Sequence, residues 1–86
     1  MTADIQEQIA GVWAQSLGVK TIAADDSFFA LGGHSLLGVK MIAAVQEKLG
    51  LGDELVMSDL LENPTLGEFS GRVAELMESG EDSGTL

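Results

Sequence analysis

The chain has no cysteine and no tyrosine, a single proline and a single histidine, and 4 basic residues among 86. Without cysteine there is no disulfide and no thiolate metal site, and a reducing cytoplasm is the expected compartment. The 4 basic residues stand against 14 acidic ones, giving a formal net charge of −10. Such a surface repels the phosphates of nucleic acids and anionic membranes, so neither is an expected partner; it suits proteins with basic docking faces. The basic head and apolar run of a signal peptide are missing, and no stretch reaches membrane-spanning length. What is present is a hydrophobic fraction of 45%, which excludes a disordered chain despite the charge. A chain of 86 residues makes one domain with a modest core, too small to add a catalytic domain, and is expected to be a monomer.

The apolar residues Ile5, Ile9, Val12, Trp13 and Leu17 form one helical stripe, predicting a first helix over Ala3–Leu17, with Thr2 as its cap and Gly18 as its stop. Periodicity fades from Gly18 to Gly33, leaving a long loop anchored by Ile22, Phe28, Phe29 and Leu31, in which Asp26 can cap a single turn. A second helix runs from Ser35 to Leu49, ended by Gly50 with Leu51 as the accompanying apolar contact. Val56 to Leu61 is a short third helix, ended by Asn63-Pro64. The fourth opens on the capping box Thr65…Glu68, carries Leu66, Phe69, Val73, Leu76 and Met77, and stops near Ser79 before Gly80. The expected architecture is all-α: a four-helix antiparallel bundle with a long loop between helices 1 and 2. Residues 1–79 form the domain and 80–86 a disordered acidic tail.

In the second helix eight of the ten residues from Leu36 to Val45 are apolar. At about 3.6 residues per turn, Leu37, Met41, Ile42, Val45 and Leu49 share the core side, while Leu36, Val39 and Ala43 fall elsewhere, beside Ser35. A helix of a small domain cannot easily bury both faces. The surplus strip is either a docking surface or a seat for the long loop. Ser35, at the mouth of this helix behind Gly32-Gly33, likewise has two readings. It is an ordinary N-cap, or it bears a phosphate ester held by unpaired amides and the positive end of the helix dipole, with the glycines keeping the approach open.

Catalytic and metal motifs fail one by one. Gly33-His34-Ser35-Leu36-Leu37-Gly38 misses the nucleophile elbow by one residue, and His34 is sequence-adjacent to Ser35, the wrong relation for a triad. Gly33 to Gly38 has Walker A spacing, but Val39 stands where lysine belongs. Asp25-Asp26 and Asp53-Glu54 lack the calcium-loop pattern. No catalytic residue and no metal ligand is assigned, and the chain is not expected to be an enzyme.

Asp26-Ser27-Phe28-Phe29-Ala30-Leu31-Gly32-Gly33-His34-Ser35-Leu36 resembles the core motif of peptidyl carrier proteins, the thiolation domains of nonribosomal peptide synthetases. Asp59-Leu60-Leu61-Glu62-Asn63-Pro64-Thr65 is similar to that family's third helix and its entry to the fourth, and the resemblance covers roughly Ile5 to Leu76. It implies that Ser35 receives 4′-phosphopantetheine from coenzyme A through a phosphopantetheinyl transferase, with Gly33 and His34 beside the cofactor. The arm then carries aminoacyl or peptidyl thioesters between an adenylating or acyl-loading enzyme and condensation-type or tailoring enzymes. It further implies partner contacts at Leu36 and Val39 first, then Met57 and Leu60. His34 before the serine favours the peptidyl branch; the net charge of −10 and Gly38 within the helix point toward an acyl carrier of a polyketide or fatty-acid-like pathway. The methionine start and four-helix length suggest a free-standing carrier, although a domain excised from a larger module would look much the same. An unmodified helical interaction module is the reading from another class.

Overall fold

In the computed structural model residues 2–52 and 54–85 are described, with side chains for 5–52 and 54–78, so the side chain of Thr2 and the whole of Asp53 lie outside it. Four helices are present among the described residues: α1 Thr2–Leu17, α2 Ser35–Leu49, α3 Met57–Glu62 and α4 Leu66–Thr85. Among the described residues the only β pairing is an isolated antiparallel bridge between Ser27 and Thr65. The all-α expectation holds.

Helix α1 buries Ile9 and Trp13, one side of its stripe, against both α2 and α4, and α3 bridges α2 and α4. Trp13 organises the centre: its ring meets Phe28 edge-on with centroids 5.2 Å apart and Phe69 of α4 at 5.7 Å. Met41, Ile42 and Val45 of α2, Leu60 of α3 and Leu66, Phe69 and Val73 of α4 complete the core. Leu37 and Leu49, also assigned to the core side, are partly buried against it. This seam also buries Trp13 Nε1 and Ser70 Oγ, neither with a hydrogen-bond partner among the described residues.

The helix ends follow local chemistry. Gly50 takes φ 71°, and its amide and that of Leu51 both donate to the Gln46 carbonyl. That left-handed turn is open to glycine at little cost and swings Leu51 into the core. At the start of α4 the capping box forms: Glu68 N–H donates to Thr65 Oγ1 at 3.2 Å, and Thr65 N–H to Glu68 Oε1 at 3.4 Å. At its other end α4 runs to Thr85, through the 80–85 segment where the sequence pointed to a disordered tail. Gly80 does not stop it; an interior glycine weakens a helix by about 1 kcal/mol without ending it. Leu86 is outside the described residues. Helix α3 begins at Met57 rather than Val56 and ends at Glu62.

The long loop is tied down at a distant point in sequence. Phe28 N–H donates to the Pro64 carbonyl at 2.8 Å, Leu66 N–H to Asp26 O at 3.0 Å, and Gly67 N–H to Ala24 O at 2.8 Å. Asp26 closes a local turn by accepting from Ala23 N–H at 2.8 Å. With its backbone paired to the α3–α4 connection and Phe28 fully buried, the loop does not cover the outer strip of α2.

Candidate functional site

Ser35 is the first residue of α2 and lies exposed. Its N-cap is His34, in extended backbone at φ −145°, with Nδ1 accepting from Leu37 N–H at 3.5 Å. The cap is therefore not Ser35, as the ordinary reading of that serine expected, because the helix begins one residue earlier than a serine cap requires. The consequence is chemical: Ser35 Oγ takes part in no hydrogen bond among the described residues and is left for other use. His34 occupies the amides of Leu37 and, through its carbonyl at 2.8 Å, Gly38. Those of Ser35 and Leu36 remain open in the first turn, where a helix has no internal acceptor for them. Open amides and the positive end of the helix dipole make this a place that tolerates a phosphate ester on Ser35.

The two glycines ahead of it have different roles. Gly32 adopts φ 103°, which L side chains rarely reach. At Gly33 a Cβ would fall on the Phe28 ring and 2.7 Å from the Phe28 carbonyl oxygen. Gly33 thus lets the chain pass over the ring that anchors the loop in the core, and its N–H donates to Phe28 O at 2.9 Å. At Gly33 the expectation of an open approach becomes one of close packing, while at Gly32 a Cβ would meet nothing within 4 Å.

Beyond Ser35 the strip assigned to the outer side of α2 is exposed, Leu36 at 61% and Val39 at 55%. The α3 contacts divide differently. Leu60 is fully buried, so it belongs to the core and not to a partner surface, which corrects the expectation drawn from the resemblance. Met57 is half-buried against the core. The exposed apolar residues of this segment are Val56 and Leu61, at 50% and 59%. Sequence reasoning missed them because Leu60 and Leu61 are equivalent to hydropathy. No local signal separates them: Asp59, buried beside Leu60, is tied to Arg72 of α4, 13 residues away.

Asp59 is buried and fully engaged. Its Oδ2 accepts from Val56 N–H at 3.0 Å at the start of α3, and its Oδ1 accepts from Arg72 Nε at 2.8 Å across to α4. The hydrogen bond to Asp59, then that to Glu75, pushes the Arg72 guanidinium above its already alkaline ordinary value. The pair is thus not switched by Arg72 anywhere near neutral pH.

Comparison with known proteins shows which family this segment belongs to. A family model described as a phosphopantetheine attachment site matches residues 7–73, a segment that contains Ser35 and all of α2 and α3. The chain belongs to the phosphopantetheine-attachment family. Among its relatives, surfactin synthase subunit 1 of Bacillus subtilis is 44% identical over 61 residues, 71% of this chain and 2% of that protein. Malpinin synthetase of Mortierella alpina is 38% identical over 80 residues, 93% of this chain and 1% of that protein. The chain thus spans one or two hundredths of the length of such relatives. Among solved structures, BlmI, a type-II acyl carrier protein of Streptomyces verticillus, matches at TM-score 0.81 and 29% identity, covering 88% of this chain and 89% of that one. A peptidyl carrier protein solved with the transferase Sfp and coenzyme A matches at TM-score 0.75 and 31% identity, covering 83% and 90%. The family's group is 4′-phosphopantetheine, covalently attached. Ser35, exposed and without a hydrogen-bond partner among the described residues, fits it.

Proposed function

We propose that the chain is a peptidyl carrier domain whose Ser35 bears 4′-phosphopantetheine and presents aminoacyl or peptidyl thioesters to the enzymes of nonribosomal peptide synthesis. The observation that carries this reading is the exposed, unused Ser35 hydroxyl at the open start of α2, inside the matched segment. Ser35 Oγ attacks the pyrophosphate of coenzyme A, its proton passes to a base of the transferase, and adenosine bisphosphate leaves. When bound, the group supplies a thiol for thioester chemistry. The residues of the chain supply position and recognition, and the catalysis belongs to the partners.

Those partners are a phosphopantetheinyl transferase and an adenylating domain, the kinds seen with structurally similar carriers, followed by condensation-type or tailoring enzymes. Leu36 and Val39 beside Ser35 are the residues we assign to contact them, with the half-buried Met57 supporting them from the seam between α2 and α3. Gly33 and His34 act on the site indirectly, through the packing and the cap. The likeness to BlmI keeps a second reading, an acyl carrier modified on the same serine. Thioester loading by amino-acid-activating and by acyl-transferring enzymes separates the two. The unmodified interaction module is set aside, since Ser35 is not needed as a cap.

Incubation with coenzyme A and a phosphopantetheinyl transferase, followed by intact mass and peptide mapping, tests the proposal. The expected product carries one phosphopantetheinyl group on Ser35. No adduct, or an adduct on another serine, would overturn it.

A further inference from the structure

Gly38 lies within α2, where glycine is the poorest helix former after proline. A Cβ built there would meet Met57 Cε at 2.8 Å, Met57 Sδ at 3.2 Å and Leu60 Cδ2 at 3.2 Å. Gly11 of α1 and Gly71 of α4 are also helical, yet a Cβ on either has nothing within 4 Å. The missing side chain at Gly38 is therefore a notch into which the thioether of Met57 enters. On its other side α3 is held by the Asp59–Arg72 ion pair at 2.8 Å. The exposed Leu36 and Val39 flank the notch on α2, and the exposed Val56, at the N-cap of α3, and Leu61, within it, flank Met57 and Leu60.

We propose that Gly38 is a positioning residue for recognition of this chain by the enzyme that modifies Ser35. By admitting Met57 it fixes how closely α3 lies against α2, and with that the spacing of the two exposed apolar pairs. The inference rests on the attachment reading of Ser35. A methyl group at position 38 displaces Met57 and presses on the fully buried Leu60, which has no open space to swing into, so α3 moves outward. Truncating Met57 empties the notch and loosens the same seam. Making both changes restores the fit, because the new methyl group fills the space the thioether leaves.

The test is a cycle of Gly38→Ala, Met57→Ala and the double variant, each assayed for conversion by a phosphopantetheinyl transferase with coenzyme A, with KM for the carrier and kcat measured separately. Each single variant is expected to raise KM roughly threefold to tenfold at unchanged kcat and helical circular dichroism, and the double variant to return within about twofold of wild type. A purely structural role would lower the thermal midpoint as KM rises, whereas positioning raises KM alone. An unchanged KM in Gly38→Ala, or single effects that multiply in the double variant, overturns the proposal. Should Gly38→Ala lose its helical signal, the double variant decides: recovery of signal and KM supports the notch, and failure to recover rejects it. If the wild-type chain takes up no phosphopantetheine at all, the attachment reading itself has failed.

Discussion

Asp59 and Arg72 meet at 2.8 Å between α3 and α4, and the second oxygen of the same carboxylate closes the start of α3 on Val56 N–H. One buried side chain thus holds a six-residue helix at its entry and at its flank. Helices this short are not stable alone, so α3 depends on such ties.

Removing the carboxylate should therefore cost more than removing the guanidinium. Asp59→Ala loses the cap and the cross-helix bond, and is expected to lower stability by about 1–3 kcal/mol. Arg72→Ala leaves the cap in place and its guanidinium is partly exposed, so its loss should be smaller. Urea unfolding of both variants checks the order, and an equal or larger loss for Arg72→Ala would contradict it.

The cap assignment predicts a dissociation of stability from modification. Ser35→Ala should abolish phosphopantetheinylation while shifting stability by less than about 0.5 kcal/mol, because Ser35 Oγ bonds nothing among the described residues. His34→Ala should cost about 0.5 kcal/mol, the low end for a cap, given its 3.5 Å bond. A Ser35→Ala loss as large as a full cap would return the capping role to the serine.

Leu60 and Leu61 are neighbours with opposite environments. Leu60→Ala is expected to destabilise by about 2–5 kcal/mol through the cavity it leaves. Leu61→Ala should stay within about 0.5 kcal/mol of wild type. Thermal or urea melts decide, and similar losses would mean that α3 sits in a different rotation.

Gly33→Ala places a methyl group on the Phe28 ring and beside its carbonyl oxygen. The ring is fully buried and cannot yield without moving the loop, so a loss of about 1–3 kcal/mol is expected. Slower modification of Ser35 should accompany it. A variant as stable as wild type would show that the loop is not held through this contact.

Among the described acidic side chains only Asp59 and Glu75 pair with a cation, while Glu7, Asp25, Glu47, Glu54, Glu62 and Glu68 are exposed and unpaired. With a net charge of −10 on 86 residues, the folded state concentrates repulsion that the unfolded chain relieves. The screening length falls from about 30 Å at 0.01 M salt to about 10 Å at 0.1 M, so the thermal midpoint should rise over that range. A level or falling midpoint would show that repulsion does not limit this fold.

Much of this protein was legible in its sequence, because the signals involved reach only a few residues. The stripe Ile5–Leu17, the glycine after Leu49, the Thr65–Glu68 box and the position of Ser35 are all fixed by neighbours within one or two helical turns. The tertiary structure decided what depends on long-range partners. It sent the loop to Pro64 and away from the α2 strip, and chose Leu60 over Leu61 for the core. It turned Gly38 from an odd choice of helix residue into a seat for Met57. Helix periodicity tells which residues share a face. Which face is buried, and against what, is set only when a second element arrives to cover it.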